Sequence, residues 1–347
     1  MTLLLAAWLH NLNPYAIRLW EGGPIRWYGL SYLLAFIIAY ALVRRVARVG
    51  VSQIQPDRVL DLVVALAIGV VVGGRLGYVC LYQPELLWTI YGRVPFWGLL
   101  AINEGGMASH GGMIGGLLTC FWYGRRHRIS MMFLSDLLAF GAPLGLFFGR
   151  LANFVNGELY GRGPTRVGWA VKFPRELYEW SAENLNALYA SLPAPQSIMP
   201  DQQGWNVQTI IFLLQQGHKT VIEVVEPMLR PRHPSQIYAA VLEGLVVFAA
   251  LAVVWRRPRR PGIIAGLFCI GYGGVRLINE LFRQPDQEIG FQLWGLTRGQ
   301  WLSIPLVLLG VLFLQIVQQR GAAPLGSWRV GPWTVNQPSS IRGSTQA

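Results

Sequence analysis

Long runs of apolar residues, each about as long as a lipid bilayer is thick, recur along this chain of 347 residues. A helix needs about 20 mostly apolar residues to cross a hydrocarbon core of about 30 Å. The composition agrees, because 53% of the residues are hydrophobic and only 13% are charged, whereas soluble proteins carry about 25% charged residues. The sequence therefore predicts an all-α integral membrane protein.

Seven apolar runs are predicted to span the membrane, in two groups separated by a long polar segment. The N-terminal membrane half, residues 1–156, holds predicted spans at residues 27–43, 59–81, 105–123 and 131–154. The C-terminal membrane half, residues 236–319, holds predicted spans at residues 236–255, 262–282 and 301–317. The third span is the weakest, because its first half is rich in glycine and polar residues. A bundle accommodates such a half-span only where it lines an internal cavity.

Clusters of arginine after the odd-numbered spans orient the bundle. They are Arg44, Arg45 and Arg48 after span one, Arg125, Arg126 and Arg128 after span three, and Arg256, Arg257, Arg259 and Arg260 after span five. The positive-inside rule places these clusters in the cytoplasm, so the N-terminus is predicted outside and the C-terminus inside. Residues 157–235 would then form a small periplasmic domain on the outer face, and residues 320–347 a polar, disordered cytoplasmic tail.

The net charge of +12 does not indicate nucleic-acid binding, because the basic residues lie mainly in these short clusters beside apolar runs. The three cysteines, Cys80, Cys120 and Cys269, lie far apart inside apolar segments and lack the spacing of metal ligands. We therefore expect no metal ion and no cofactor.

Ionisable residues inside the predicted spans lie near one face of the bilayer. Arg75, Arg150 and Arg276 each stand four to six residues before the outer end of an even-numbered span, which places them roughly 6–9 Å below the outer edge. Other polar residues reach the same level: Tyr28, His110, Asn153, Asn156, Tyr238, Tyr272 and Glu280. Charges inside a span are costly and mark functional sites.

Buried arginines bind planar anions through two parallel hydrogen bonds. At this depth the available anion is the phosphate of a phospholipid headgroup, so the pattern predicts a lipid-handling site near the outer leaflet. The densest motif covers residues 149–161, where Arg150 and Asn153 share a helix face and Gly157 and Gly161 allow the chain to turn beside a ligand. The alternative, a polar helix end among headgroups, fits less well because Arg150 lies too deep for ordinary snorkelling.

Two further motifs are open to more than one interpretation. His110, in the broken part of span three, either accepts a proton from an attacking group or bonds a backbone carbonyl freed by neighbouring glycines. On span six, spacings of four and three residues put Tyr272, Arg276, Glu280 and Arg283 on one face. There Glu280 is expected to neutralise Arg276 or Arg283 and leave part of the guanidinium for a ligand.

In these motifs the sequence resembles the prolipoprotein diacylglyceryl transferase family. The likeness covers most of the chain between residues 25 and 317 and rests on six segments, at residues 26–30, 109–112, 149–161, 232–238, 272–286 and 299–305. The chain departs from the family pattern at Ala239, where an acidic residue is common, at Asn279, which replaces an apolar residue, and in a longer outer segment.

The resemblance implies a multi-pass enzyme of the bacterial inner membrane whose active site lies near the outer leaflet. Such an enzyme transfers the diacylglyceryl group of phosphatidylglycerol to the lipobox cysteine of a prolipoprotein signal peptide, forming a thioether and releasing glycerol phosphate. It further implies catalytic roles for His110, Arg150, Arg276 and Tyr28, with His110 or, as the weaker candidate, Tyr28 as the base. The substrate-binding positions it implies are Arg150, Asn153, Glu158, Gly161, Tyr272, Arg276, Glu280 and Arg283.

Two other classes of function remain as alternatives. A transporter or flippase of anionic lipids would place its site near the midplane, between inverted repeats, whereas the charges here gather near one face. A non-catalytic assembly factor of the envelope would be expected to lack the arginines or His110.

Overall fold

Helices form most of the described chain, which in this computed structural model comprises residues 7–18, 24–49, 51–92, 94–102, 105–285 and 290–334. The chain divides into two units. The first unit comprises residues 1–34, 145–246 and 272–305, and the second comprises residues 35–144, 247–271 and 306–347.

Both units contain α-helices. In chain order they are α1 (Trp27–Val49), α2 (Val59–Tyr82), α3 (Ser109–His127), α4 (Met131–Val155), α5 (Ala182–Ser191), α6 (Val207–Gln215), α7 (Lys219–Val225), α8 (Ser235–Ala239), α9 (Val247–Val254), α10 (Ile263–Asn279) and α11 (Arg298–Gln319). A π-helical segment, Ala240–Val246, joins α8 to α9, so that Ser235–Val254 is one continuous helix.

Within the described residues, five helices are long and apolar enough to cross a membrane. They are Trp27–Val49, Pro56–Tyr82, Met131–Val155, Ser235–Val254 and Arg298–Gln319. The prediction of an all-α membrane protein is therefore confirmed. Helices also coincide with the other two predicted spans, but α10 has 17 residues, and α3 is rich in glycine and ends in basic residues. The count of seven spans and their orientation stay predictions.

The broken start of the third predicted span is present in the second unit. Residues 105–108 are not helical, and Gly105 and Gly106 have φ values of 92° and 79°, which favour glycine. The helix that follows packs on α2 through facing glycines. An ideal Cβ at Gly73 would lie 2.4 Å from the Gly111 carbonyl oxygen, and one at Gly115 would lie 2.0 Å from that of Gly69. Small residues thus let the two backbones meet, as in other membrane helix pairs.

The outer segment, residues 157–235, has an apolar core of its own within the first unit. Its buried residues come from the segments that include α5, α6 and α7, and they are Leu177, Leu188, Leu192, Ile210, Leu213, Leu214, Val221, Val225 and Leu229. Side-chain caps begin two of these helices: Ser181 accepts from the Asn184 amide, and Asn206 accepts from the Thr209 amide. This segment therefore contains a small apolar core, while its folding as a separate domain and its periplasmic location stay predictions.

Short strands attach the N-terminal residues to this outer segment. Strand β1 (Trp8–Leu9) pairs in parallel with β4 (Val171–Lys172), which pairs antiparallel with β5 (Pro231–Arg232). A separate hairpin joins β2 (Tyr15–Arg18) to β3 (Pro24–Arg26). Directly after β1, the buried His10 ring bonds the Phe154 carbonyl at 2.6 Å, which ties the N-terminal residues to the end of α4.

The described part of the tail, residues 320–334, contacts the loop and helix end around residues 252–259. Leu325 exchanges backbone hydrogen bonds with Arg259, and the buried Trp255 donates to the Leu325 carbonyl at 3.3 Å. Trp328 donates to the Ala252 carbonyl at 2.7 Å. The predicted disorder does not describe this docked stretch, and residues 335–347 lie outside the described residues.

Candidate active site

Three helical segments of the first unit bring two arginines onto one buried carboxylate. Arg150 on α4 donates from Nε and Nη2 to Glu243 Oε2, at 3.0 and 2.8 Å. Arg276 on α10 donates from Nη1 to the other oxygen of Glu243, at 3.0 Å. The Glu243 side chain is fully buried, whereas those of Arg150 and Arg276 keep 15% and 12% of their surface exposed. The two arginines predicted from sequence are therefore neighbours, joined by a shared anion.

The π-helical segment accounts for the position of Glu243. A π-helical turn carries extra residues per turn and recurs at functional sites. Next to Glu243, Gly244 allows the segment to approach α4 closely, because an ideal Cβ at Gly244 would lie 2.6 Å from the Phe147 Cβ. The close approach and the altered helical phase together direct the carboxylate at Arg150 and Arg276.

A second carboxylate extends the cluster along α10. Glu280 lies 2.6 Å from Arg276 Nη2 and 3.8 Å from Arg283 Nη1, so the predicted neutralisation by Glu280 is confirmed. Its other oxygen accepts from the Thr297 hydroxyl at 2.7 Å, in a buried contact. Tyr272, one turn before Arg276, lies close enough to interact with Arg150 as well. The predicted face of span six is thus assembled in one place.

We name the two buried carboxylates and their three partly buried partners the arginine cluster: Arg150, Glu243, Arg276, Glu280 and Arg283. Three positive and two negative side chains give it a formal net charge of +1. Opposite charges within hydrogen-bond distance offset much of the cost of holding each ion away from water. The small positive excess, together with the partial exposure of the arginines, suits the binding of one anionic group.

A second polar group lies at the end of α4 and the turn that follows it. The Tyr28 hydroxyl, in the first turn of α1, is hydrogen-bonded to both Asn153 Oδ1 and Glu158 Oε1. The Glu158 carboxylate also lies 3.9 Å from Arg175 Nη1, and its backbone carbonyl accepts from Gln236 at 2.7 Å. Three of the residues predicted from sequence, Tyr28, Asn153 and Glu158, are therefore in direct contact.

Three backbone segments meet at Gly161. Its amide donates to the His233 carbonyl at 2.9 Å, and the next amide, of Arg162, donates to the Phe282 carbonyl at 2.8 Å. An ideal Cβ at Gly161 would lie 2.5 Å from the first of these oxygens and 2.7 Å from the second. The contacts explain why glycine stands here on structural grounds, and a direct role in substrate binding stays a prediction.

Arg75 does not behave like the other two intramembrane arginines. It belongs to the second unit, where its guanidinium donates to four backbone carbonyls of the loop before α3. The acceptors are Leu99 at 2.8 Å, Gly105 at 2.6 Å, Gly106 at 3.0 Å and Gly98 at 2.6 Å. The sequence left the role of Arg75 open, and these four bonds give it a structural role, because they use most of the donors that a phosphate would need.

His110 also lies in the second unit, in the first turn of α3, and its side chain is exposed. Among the described residues its ring makes no hydrogen bond to a backbone carbonyl, the contact that the structural interpretation requires. The carbonyls of the neighbouring Gly105 and Gly106 are bound by Arg75 instead. The contact expected of a structural His110 is thus missing among the described residues, and the role of His110 as a proton acceptor stays a prediction.

Sequence reasoning missed Glu243, although the same criterion that selected the arginines would have found it. It is an ionisable residue inside a long apolar run, residues 235–254. The structure also explains Asn279, a departure from the family pattern, because its Nδ2 donates to Glu243 Oε1 at 3.1 Å. Both residues help to hold the two arginines in place.

The fold and the arginine cluster define a multi-pass membrane protein with a polar site held between its helices. Comparison with known proteins assigns the family. The family model described as prolipoprotein diacylglyceryl transferase matches residues 14–316, so the chain belongs to this family and is a transferase. The resemblance seen in the motifs is thereby confirmed.

Individual relatives match over nearly the whole chain. A phosphatidylglycerol–prolipoprotein diacylglyceryl transferase of Bdellovibrio bacteriovorus is 39% identical over 344 residues, covering 93% of this chain and 97% of the relative. The enzyme of the same name from Azospirillum brasilense is 36% identical, covering 92% of this chain and 100% of the relative. The one from Serratia proteamaculans is 39% identical, covering 84% and 89%.

Proposed function

We propose that this chain transfers the diacylglyceryl group of phosphatidylglycerol to the thiol of the lipobox cysteine of a prolipoprotein, the first step of lipoprotein maturation. The family and the names of its relatives support the reaction. The observation that carries the assignment of residues is the pair Arg150 and Arg276, held side by side by one buried carboxylate and still partly exposed.

In this proposal the two arginines bind the lipid phosphate. Each guanidinium has five N–H donors in a planar fork. The contacts with Glu243 and Glu280 use only part of each fork, so donors remain for a phosphate. Because the arginines are already fixed by ion pairs, little reorganisation is needed when charge develops on the leaving group.

The transfer step exchanges a carbon–oxygen bond for a carbon–sulfur bond. The cysteine thiolate attacks the diacylglyceryl carbon that is bonded to the phosphate oxygen, and the electron pair of the breaking C–O bond passes to that oxygen. The products are a thioether on the peptide and glycerol phosphate. The thiol proton must first pass to a base, because the unperturbed thiol has a pKa of about 8.5 and only the thiolate is a strong nucleophile.

We assign the base to His110. Its side chain is exposed and, among the described residues, has no hydrogen-bond partner that would occupy both ring nitrogens. Tyr28 is the weaker candidate, because its hydroxyl is bound to the Glu158 carboxylate, an acceptor that requires the phenolic proton. Tyr28 is better suited to orient a substrate hydroxyl.

The remaining predicted residues take positioning roles in this proposal. Asn153 and Tyr272 orient the headgroup, and Glu158 and Gly161 shape the turn beside it. Glu280 and Arg283 fix Arg276 through the contacts at 2.6 and 3.8 Å. The lipid would come from the outer leaflet of the inner membrane, because the cluster belongs to the same unit as the proposed periplasmic segment.

The experiment is transfer from labelled phosphatidylglycerol to a lipobox peptide, with purified full-length protein in detergent. Labelled peptide is expected with a cysteine in the lipobox and none with a serine. Arg150→Ala and Arg276→Ala should each lower the rate by about 10²-fold or more, the usual cost of removing a donor to developing negative charge. Arg166→Ala is the matched control, because Arg166 is an exposed arginine of the outer segment.

The possible outcomes separate the assignments. Near-normal rates in either arginine variant would remove the phosphate-binding role. A steep loss of transfer rate in His110→Gln would support His110 as the base. A modest loss would support a structural role for it. Movement of labelled lipid between leaflets of a vesicle, without transfer to peptide, would favour a flippase instead.

A further inference from the structure

Glu243 has a role that neither the motifs nor the proposed reaction requires. Its two oxygens receive four donors: Nε and Nη2 of Arg150, Nη1 of Arg276 and Nδ2 of Asn279. It is fully buried, so it has no surface with which to touch a substrate. It is therefore a fixed anion behind the two arginines, and its charge acts on whatever those arginines bind.

The charge of the bound group changes during the proposed reaction. The phosphodiester of phosphatidylglycerol carries one negative charge, whereas a phosphate monoester carries about −1.5 to −2 at pH 7 because its second pKa is about 6. A strongly cationic site would therefore bind the product more tightly than the substrate. Tight product binding slows turnover without helping the chemical step.

The cluster offsets much of its own positive charge. Without Glu243 the formal charge of the cluster would rise from +1 to +2. The negative charge that would be lost lies within 3.0 Å of both guanidiniums. An anion bound by these guanidiniums would lie farther from Glu243 than they do, and at that longer separation one unit of charge near a partly buried site still changes binding by about tenfold or more.

We propose that Glu243 is a positioning residue that sets the rate of product release, by holding Arg150 and Arg276 in place while offsetting part of their charge. The inference rests on the proposed binding of phosphate by these arginines. It predicts that removal of the Glu243 charge traps glycerol phosphate in the site.

The test compares wild-type protein with Glu243→Gln, which has nearly the same shape without the charge. In the peptide transfer assay, the inhibition constant of added glycerol phosphate is expected to fall about tenfold or more in the variant. The first turnover should remain visible as a burst, followed by a slower steady state. Glu243→Asp keeps the charge and is expected to leave the inhibition constant near that of the wild type.

The control is Glu176→Gln, because Glu176 is a buried glutamate paired with Arg232 at 2.5 Å in the outer segment. It should leave the inhibition constant unchanged, whatever its effect on stability. If Glu243→Gln does not fold, Glu280→Gln removes the same unit of charge from the other partner of Arg276 and should lower the constant in the same way.

An unchanged or higher inhibition constant in the folded charge-removal variant would overturn the inference and leave Glu243 as a structural counter-ion. The same conclusion would follow if Glu243→Asp and Glu243→Gln gave equal inhibition constants, since position rather than charge would then decide. Absence of transfer by the wild-type protein would instead contradict the proposed function itself, so the two failures are distinct.

Discussion

Gly161 offers a sharp test of how the turn after α4 positions the site. In Gly161→Ala, the new Cβ would lie 2.5 Å from the His233 carbonyl oxygen and 2.7 Å from that of Phe282, where ordinary contact begins at 3.4 Å. The overlaps, of about 0.9 and 0.7 Å, involve backbone atoms of two different segments. Neither oxygen can rotate away as a flexible side chain would.

The cost follows from these overlaps. Overpacking of this kind destabilises by about 1–3 kcal/mol, and weakening the hydrogen bonds of Gly161 and Arg162 adds about 1 kcal/mol each. A shift of the turn also moves Glu158 and the segment at Arg283. Because about 1 Å of misplacement can cost about 10²-fold in rate, transfer is expected to fall by about that factor, with a lower melting temperature in detergent.

Gly149→Ala is the matched control within the same motif. An ideal Cβ at Gly149 meets nothing within 4 Å, and alanine favours the helix over glycine by up to about 1 kcal/mol. This variant should keep the wild-type melting temperature or raise it slightly. If Gly161→Ala matched it in both melting temperature and rate, the structural account of the turn would be refuted.

Three further predictions follow from individual contacts. Arg75→Lys should lower thermal stability and the transfer rate while leaving the apparent KM for phosphatidylglycerol unchanged, because one ammonium cannot serve four carbonyls; a rise in KM alone would contradict this. Burial lowers the pKa of His10 from 6.5 to about 4, so the unfolded chain takes up the proton first as the pH falls. Folded-state stability should be full above about pH 6.5 and decline by up to about 3 kcal/mol towards pH 4, and His10→Gln should remove this slope in pH-dependent melting curves. Thr297→Val removes the hydroxyl that donates to Glu280 at 2.7 Å, and should lower the steady-state transfer rate about tenfold in a protein that still melts cooperatively; an unchanged rate would show that Glu280 needs no second partner.

The membrane helices were predictable because bilayer thickness imposes a length on every apolar run. The broken start of α3 was also predictable, since Gly105 and Gly106 supply the positive φ values that the loop requires. The docking of the tail was not, because its contacts are backbone hydrogen bonds, such as those between Leu325 and Arg259, and bonds from the side chains of Trp255 and Trp328 to backbone carbonyls. Composition alone carries no signal for such contacts.

The depth of an arginine in the membrane does not predict which group it binds. Rise per residue fixes how far Arg75, Arg150 and Arg276 lie along their helices, but the partner of each depends on the helix face and on the elements packed against it. Arg75 meets loop carbonyls, whereas Arg150 and Arg276 meet Glu243. The π-helical segment that presents Glu243 is a departure from regular helical phase, so the 3.6-residue periodicity could not have placed that carboxylate.

The arginine cluster is better explained by the reaction than by stability. Buried ion pairs contribute little to folding, because the desolvation of each charge roughly offsets the attraction between them. Apolar side chains would fill the same space between α4, the π-helical segment and α10 at no greater cost. What apolar side chains cannot supply is a pair of cations fixed side by side before a substrate phosphate arrives. Such a pair must be held by buried anions, and those anions also reduce the attraction for a product that carries more charge than the substrate. In the proposed reaction, binding of the lipid and release of the product place opposite demands on the same residues, and a formal charge of +1, well below that of the arginines alone, is the compromise expected from both.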